Sequence, residues 1–367
     1  DIDRSRGLGD VYKRQKRGIA IGGTHGKTTT TSFLATILEE SEYNPTYIIG
    51  GIVKNLDGHA KVGKGEYLVA EADESDGSFL LLSPIMSAVT NIDNDHLDHY
   101  GSEENLVNSF EKFVNKVPFY GLVALNAHDD RLMDIKTRIK KPYLTFGIGD
   151  ELKSGLDVEA RNLKVTNNQS DFELFFNGEK VVDITIHLPG KHNVLNALGA
   201  ITLAQHMGVG FDLIAKSISE FKGVGRRFQT LCKDSNIEII DDYGHHPTEI
   251  AATLKTLKDT RSCKTIAIFE PHRYSRTRDC WNEFLHCFNH VDELYIGPIY
   301  PASEKPIPGI DSERLVSDIN QLHPGFANYL SSYDDISRIV EANKGASIAT
   351  LGAGAIGGVF CRPRQHA

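Results

Sequence analysis

Residues 18–40 read GIAIGGTHGKTTTTSFLATILEE, and the order of residue types in this stretch decides the fold. The opening GIAIGG is a short apolar run of the kind a buried strand makes, and from Lys27 to Glu40 the pattern predicts a helix. Between them, Gly23-Thr24-His25-Gly26-Lys27-Thr28-Thr29 joins strand to helix. There, successive backbone N–H groups and the helix N-terminus can cradle phosphate oxygens. In such a loop Lys27 reaches the β/γ-phosphates and the Thr28 hydroxyl a Mg²⁺ ion. The full pattern places a glycine five residues before Gly26, where this chain has Ile21. A GKT tripeptide is common by chance, so the strand and helix around it carry the reading.

Outward from this motif the alternation continues with YLVAEAD after Glu66, SAVTNID from Ser87 and GLVALNA after Tyr120. That rhythm predicts a mostly parallel sheet flanked by helices. Residues 157–188 change character: DFELFF, a turn at Asn177-Gly178, then VDITIHL, in which Val182, Ile184, Ile186 and Leu188 alternate with polar residues. This predicts a small antiparallel insertion with one wet face. Helices are expected from His192 to about Met207 and from Phe211 to Phe221, followed by the glycine-punctuated FKGVGRRF as a hinge. Strand and helix patterns then restart with NIEIIDD, a helix opened by Pro247-Thr248-Glu249, KTIAIFE, a helix around Trp281, and ELYIGPIY. The expected organisation is an unpatterned tail or non-native leader over 1–15, a P-loop ATPase domain over 16–222, a hinge over 223–227, and a Rossmann-like α/β domain over 228–367 whose end becomes atypical after 354.

Composition narrows the chemistry. A chain of 367 residues, 40% hydrophobic, can bury more than one core. With 40 Lys+Arg against 49 Asp+Glu the net charge is −9, so no overall basic field exists to attract a nucleic-acid backbone. Anionic substrates must therefore meet local cations. Cys232, Cys263, Cys280, Cys287 and Cys361 are odd in number and form no CxxC pair, which argues against a disulfide framework or a thiolate zinc site and fits a reducing cytoplasm. Cys280 and Cys287, seven apart, read as small buried hydrophobes. No stretch approaches the roughly 20 apolar residues a membrane span needs. Gly352-Ala353-Gly354-Ala355-Ile356-Gly357 spells GxGxxG, but too few residues follow for a βαβ unit, so a nicotinamide site is rejected.

Two further segments end strands at the edge where doubly wound sheets place ligands. Glu71-Ala72-Asp73-Glu74-Ser75-Asp76 offers carboxylates, one of which can bind metal, and Asn91-Ile92-Asp93-Asn94-Asp95-His96-Leu97-Asp98-His99 adds oxygen ligands and imidazoles. An acidic loop is usually only solvated. Three strand ends carrying Mg²⁺-type ligands are harder to dismiss.

GTHGKTTTTS, AEADESDGSF, NIDNDHLDHYG, GKHNVLNALGA, GRRFQ, DDYGHHPTEI and PHRYSRTRD follow one another between Gly18 and Gly354. In this order they resemble the UDP-N-acetylmuramate:L-alanine ligases, a branch of the Mur ligase family. The resemblance implies an ATP-dependent ligase of peptidoglycan precursor synthesis in the bacterial cytoplasm, acting on UDP-N-acetylmuramate, L-alanine and ATP with Mg²⁺, or Mn²⁺ in its place. It makes Lys27 the phosphate clamp within the ATP loop Gly23, Thr24, His25, Gly26, Lys27, Thr28 and Thr29. Thr28 and Glu71 would be ligands of one metal and His96 of a second. His192, Asn193 and Asn196 would hold adenine, Arg227 would reach the γ-phosphate, and Asp242 would bind ribose. Tyr243, His245, Arg273 and Arg276 would meet the incoming amino acid and the transferred group. His245 is read either as the base for the amine or as a stacked or capping histidine.

Several sister ligases carry a modified lysine fourteen residues after the metal-binding histidine. That offset from His96 lands on Phe110, and the alanine-adding branch of the family lacks that lysine. The resemblance also implies an additional N-terminal domain that holds the UDP-sugar, whereas residues 1–15 are unpatterned here, so this chain alone is expected to bind ATP but to ligate slowly. ATP is expected to bind between the two domains, whose closure would expel water. Three rival readings remain: a ligase that recycles a whole tripeptide, a regulatory P-loop ATPase that makes no bond, and a kinase that leaves phosphate on a small carboxylate.

Overall fold

A computed structural model describes residues 16–56, 58–152, 155–233 and 237–358. The chain divides between Gly225 and Arg226 into two units. In the first, the strands are β1 (Arg17–Gly22), β2 (Thr46–Val53), β3 (Gly58–Lys61), β4 (Tyr67–Glu71), β5 (Met86–Val89), β6 (Leu122–Asn126), β7 (Tyr143–Ile148), β8 (Val158–Val165), β9 (Ser170–Phe176) and β10 (Glu179–Ile186). They form one sheet in the order β10-β9-β8-β7-β6-β5-β1-β4-β2-β3. From β2 to β8 across the sheet every neighbouring pair is parallel. β1 is central, paired with β4 through Ile21↔Glu71 and with β5 through Gly22↔Val89. Its C-terminal end is thus the switch point at which the strand order reverses.

Period-two alternation distributes the core. Ile19, Ile21, Ala88 and Ala124 face one side, where they pack with helices α1 (Lys27–Glu40), α3 (Lys191–His206) and α4 (Phe211–Ser219). Ala20, Val89, Val123 and Leu125 face the other, against α2 (Glu103–Val114). Helix α1 is buried from Thr28 to Leu38, and Phe33 packs tilted against Phe221 at 4.3 Å between ring centroids. Truncating so enclosed a ring as Phe33 would cost about 3–5 kcal/mol.

The antiparallel segment anticipated at 157–188 is present as β8–β10. It is continuous with the main sheet, because β8 runs parallel to β7 before pairing with β9. The β9–β10 turn has φ of 49° at Asn177 and 84° at Gly178, the positive pair that a tight hairpin of primed type requires. Ile184, Ile186 and Leu188 are buried while Asp183 and His187 are exposed, so the segment has its one wet face.

The second unit holds β11 (Gln229–Lys233), β12 (Glu238–Asp242), β13 (Thr265–Phe269), β14 (Glu293–Ile296), β15 (Ala327–Tyr329) and β16 (Ser347–Leu351). Their order is β11-β12-β16-β13-β14-β15, parallel except for β11–β12. Ala267, Phe269 and Leu351 pack with α5 (Pro247–Thr260) on one face, and Ile266, Ile268 and Ile348 pack with Ile336 and Ile339 on the other. This is the doubly wound, Rossmann-like arrangement. The helix expected around Trp281 is two short pieces, Tyr274–Asp279 and Trp281–Phe284, broken at Cys280. Cys280 and Cys287 are both buried, and Cys361 lies outside the described residues. Among the described residues no helix is long and apolar enough to cross a membrane.

Candidate active site

The loop that leaves β1 is shaped by two glycines. Gly23 has φ 124°, and a Cβ there would lie 2.1 Å from Thr90 Oγ1 and 2.9 Å from Thr90 N. Gly26, the left-handed N-cap of α1 at φ 83°, lies so close to α3 that a Cβ would come within 2.3 Å of Asn196 Oδ1. The loop is then pinned to the end of β5. Thr24 N donates to Asn91 O at 3.0 Å, His25 N to Asn91 Oδ1 at 2.8 Å, and Asp93 N to Thr24 Oγ1 at 2.9 Å. His25 Nε2 lies 3.0 Å from Asp93 Oδ2. A loop held this way is fixed at the N-terminus of α1, where backbone N–H groups can meet phosphate oxygens.

Lys27 folds back over this loop. Its Nζ donates to Gly23 O at 2.7 Å, Thr24 O at 3.2 Å and Glu74 Oε2 at 2.7 Å. The Glu74 side chain is 2% exposed, and burial pushes its carboxyl above the usual range even though Lys27 opposes the shift. One helix position on, Thr28 Oγ1 donates to Glu71 Oε2 at 3.1 Å, while Glu71 Oε1 accepts from Gly50 N at 2.5 Å. The structure thus brings together the Thr28–Glu71 pair expected of a first metal site. Oxygen donors of this kind suit a hard divalent cation. His96, at φ 59°, has Nε2 3.5 Å from Asp95 Oδ2. Of the adenine candidates, Asn193 and Asn196 are buried on α3, with Asn193 Nδ2 donating to Pro189 O at 2.8 Å, and His192 is half-buried on its first turn.

Sequence reasoning missed two contributors here. Glu74 was one acid among four in six residues. Gly50-Gly51 on β2 was unmarked, yet a Cβ at Gly51 would lie 2.7 Å from Val224 Cγ1 and 3.1 Å from Thr28 Cγ2. A glycine pair inside an apolar strand is the available signal for such a close backbone approach.

In the second unit the C-terminal ends of β12, β16 and β13 lie side by side, since Gly352 N donates to Asp242 O at 3.2 Å and Glu270 N to Leu351 O at 2.9 Å. Asp242 is buried; its Oδ1 accepts from Gly244 N at 2.8 Å and its Oδ2 from Phe228 N at 2.7 Å, and burial raises its carboxyl. The neighbouring arginines differ. Arg226 donates to Asp241 Oδ2 at 3.1 Å and to the carbonyls of Gly352 and Gly354 at 2.5 and 3.4 Å, which makes it structural. Arg227 stands 5.1 Å over the Tyr243 ring with NH1 3.8 Å from Glu249 Oε1. The GxGxxG glycines are explained by packing: a Cβ at Gly354 would fall 2.5 Å from Glu270 Oε1, and one at Gly357 would fall 2.3 Å from Arg226 Cζ.

His245 Nδ1 lies 3.1 Å from Tyr243 O, and its ring makes an edge contact with Tyr243 at 5.5 Å and a tilted one with His272 at 5.6 Å. His272 in turn stacks on Tyr300 at 5.5 Å and 8°. Burial, then Arg276 and Arg273, depress the His272 imidazole to about 4, so it stays neutral at pH 7. Arg276 is buried with NH1 3.4 Å from His272 Nδ1, and Arg273 caps the following helix at φ 70° with its N bonded to Tyr300 O. The predicted residues Tyr243 and His245 therefore share one aromatic cluster, which His272 joins to Arg276.

A strand–loop–helix phosphate cradle beside a hydroxyl–carboxylate pair, followed in the chain by a Rossmann-like unit with arginines at its sheet edge, defines a nucleotide-using P-loop enzyme. Residues 21–204 match the Mur ligase middle domain and residues 226–354 the Mur ligase glutamate ligase domain, and the chain belongs to the Mur ligase family of ATP-dependent carboxylate–amine ligases. It is 45% identical over 359 residues to the UDP-N-acetylmuramate--L-alanine ligase of Trichlorobacter lovleyi, an alignment covering 97% of this chain and 78% of that protein. Among solved structures, the UDP-N-acetylmuramate-alanine ligase from Thermotoga maritima superposes with a TM-score of 0.80 at 28% identity, covering 98% of this chain and 77% of that one. A murein peptide ligase from Psychrobacter arcticus gives 0.66 at 25% identity, covering 94% and 76%.

Proposed function

We propose that the chain joins L-alanine to the lactyl carboxylate of UDP-N-acetylmuramate through an acyl phosphate, releasing ADP and phosphate, as a step of peptidoglycan precursor synthesis in the bacterial cytoplasm. The observation that carries this reading is the 45% identity, over nearly the whole chain, to a ligase of that name. The chemistry fits the residues. A carboxylate must be activated before an amine can displace its oxygen, and transfer of the γ-phosphoryl group does this. Every reactant is anionic near the transferring group, so cations must stabilise the charge that grows in the transition state.

Lys27 is assigned to the β/γ-phosphates, and Asn193 and Asn196, with His192, to adenine. Arg227 reaches the γ-phosphate and Asp242 the ribose. Arg273 and Arg276 supply the forked donors that suit a carboxylate, and Tyr243 and His245 line the path of the amine. Thr28 and Glu71 would hold Mg²⁺, with His96 for a second divalent ion, and the metal would supply neutralising charge beside the phosphates.

ADP release, measured with each precursor and amino acid supplied separately, tests the proposal. Turnover that needs both UDP-N-acetylmuramate and L-alanine is the expected result. ADP release indifferent to the amino acid would point to a regulatory ATPase or a kinase, and turnover supported only by a tripeptide would point to a recycling ligase; either result overturns the reading.

A further inference from the structure

The contact that the reaction leaves unused is the one between Lys27 and Glu74. Lys27 has three N–H donors, and in this structure they meet three acceptors: Gly23 O, Thr24 O and Glu74 Oε2. The lysine is thereby satisfied without a phosphate. Glu74 is fixed by its backbone, since its carbonyl accepts from Tyr100 Oη at 2.5 Å and from Gly77 N at 3.0 Å, and its side chain is buried. Of the two partners the long, flexible lysine must therefore be the one that moves. From this geometry we infer that Glu74 is a positioning residue acting as a latch, which holds the phosphate-loop lysine in a resting state and yields it when a triphosphate arrives.

The inference rests on reading Gly23–Thr29 as the phosphate loop. Two effects follow from it. A phosphate must compete with a carboxylate for Lys27, and any phosphate oxygen bound by Lys27 at a normal hydrogen-bond length lies within roughly 5–6 Å of the Glu74 charge if Glu74 stays in contact. Both effects oppose binding. Burial already disfavours the Glu74 carboxylate, so losing Lys27 as its cation partner would add to the penalty. In a protein-like dielectric the repulsion alone corresponds to roughly a hundredfold in affinity, which screening and local water reduce to about tenfold. The latch would thus keep the loop closed to weak anions and reserve Lys27 for a ligand that brings its own divalent cation.

The test is equilibrium binding of a fluorescent ATP analogue to the full chain in excess chelator. Glu74→Gln keeps the side-chain shape and should bind about tenfold more tightly than the parent; Glu74→Ala, used if the glutamine variant lacks a cooperative melt, should also gain affinity. A merely structural role predicts equal or weaker binding, and that outcome overturns the latch. Lys27→Ala separates the two readings: if it binds as well as the parent, the phosphate-loop assignment fails, whereas if it loses binding while Glu74→Gln is unchanged, only the latch fails.

Discussion

Gly26→Ala is the most direct perturbation of the phosphate loop, and its effect can be worked from the backbone. Residue 26 sits at φ 83°, a left-handed conformation that costs an L-residue about 1–2 kcal/mol. The added Cβ would lie 2.3 Å from Asn196 Oδ1, so the amide must retreat by about 1 Å and leave its rotamer, at a further ~0.5–1.5 kcal/mol. The sum, about 1.5–3.5 kcal/mol, lowers the melting temperature of a unit of this size by on the order of 3–14 °C. The functional loss should be larger, because the same displacement disturbs both the helix N-terminus and the asparagine assigned to adenine. Calorimetric melting with and without ATP checks both, since a nucleotide that binds the native state alone should raise the parent's midpoint. Gly155→Ala is the control: no atom lies within 4 Å of its Cβ, and a change of no more than about 1 kcal/mol is expected. A Gly26→Ala variant that melts with the parent and keeps the full ATP-induced shift would refute the argument.

Activity should vanish in excess chelator and return with either Mg²⁺ or Mn²⁺, because the Thr28 and Glu71 oxygens accept both and an imidazole at His96 favours the softer ion; turnover undiminished by chelator contradicts the assignment. His272, at about 4 when folded against an ordinary 6.5, binds its proton more readily in the unfolded chain. Stability should therefore fall as pH drops from about 6.5 toward 4 and be insensitive to this group above 6.5, and His272→Gln should flatten that slope in thermal melts. The adjacent arginines should separate cleanly. Arg226→Ala abandons Asp241, which is 1% exposed, and should destabilise by about 3 kcal/mol or more, whereas Arg227→Ala should leave the melt near the parent's and lower kcat. Comparing melting and turnover for the two variants decides this.

The central β1–α1 unit was legible because its signals are local: an apolar strand, a glycine loop and a helix whose bounds, Lys27 and Glu40, were read from the sequence. The hairpin at Asn177-Gly178 was legible for the same reason, since positive φ at both positions selects those residues. What escaped is non-local. Strand β16 lies near the end of the described chain yet inserts between β12 and β13, and a five-residue apolar stretch carries no information about its neighbours. Likewise Glu71, Asp73, Glu74 and Asp76 are alike on paper. The backbone turns Glu74 inward under Lys27 and leaves Asp73 and Asp76 in water, and only the fold makes that distinction.

Buried acids at the sheet edges of a ligase whose reactants are anions look misplaced until their partners are named. Asp242 accepts from two backbone N–H groups, of Phe228 and Gly244, and so holds a chain segment in which Arg226 and Phe228 both have positive φ. Glu270 accepts from Ile356 N at 3.4 Å where the Gly352–Gly357 loop folds over it. These are charge-assisted bonds to backbone, and they fix loops. The cations are held differently. Arg227 keeps a 3.8 Å pair with Glu249 and a ring contact, and Lys27 keeps two carbonyls and one carboxylate, all of which another anion can replace. In each unit a buried acid thus fixes a loop while a cation, Lys27 in the first and Arg227 in the second, keeps replaceable partners, which is the asymmetry that the proposed binding of a triphosphate by a chain of net charge −9 calls for.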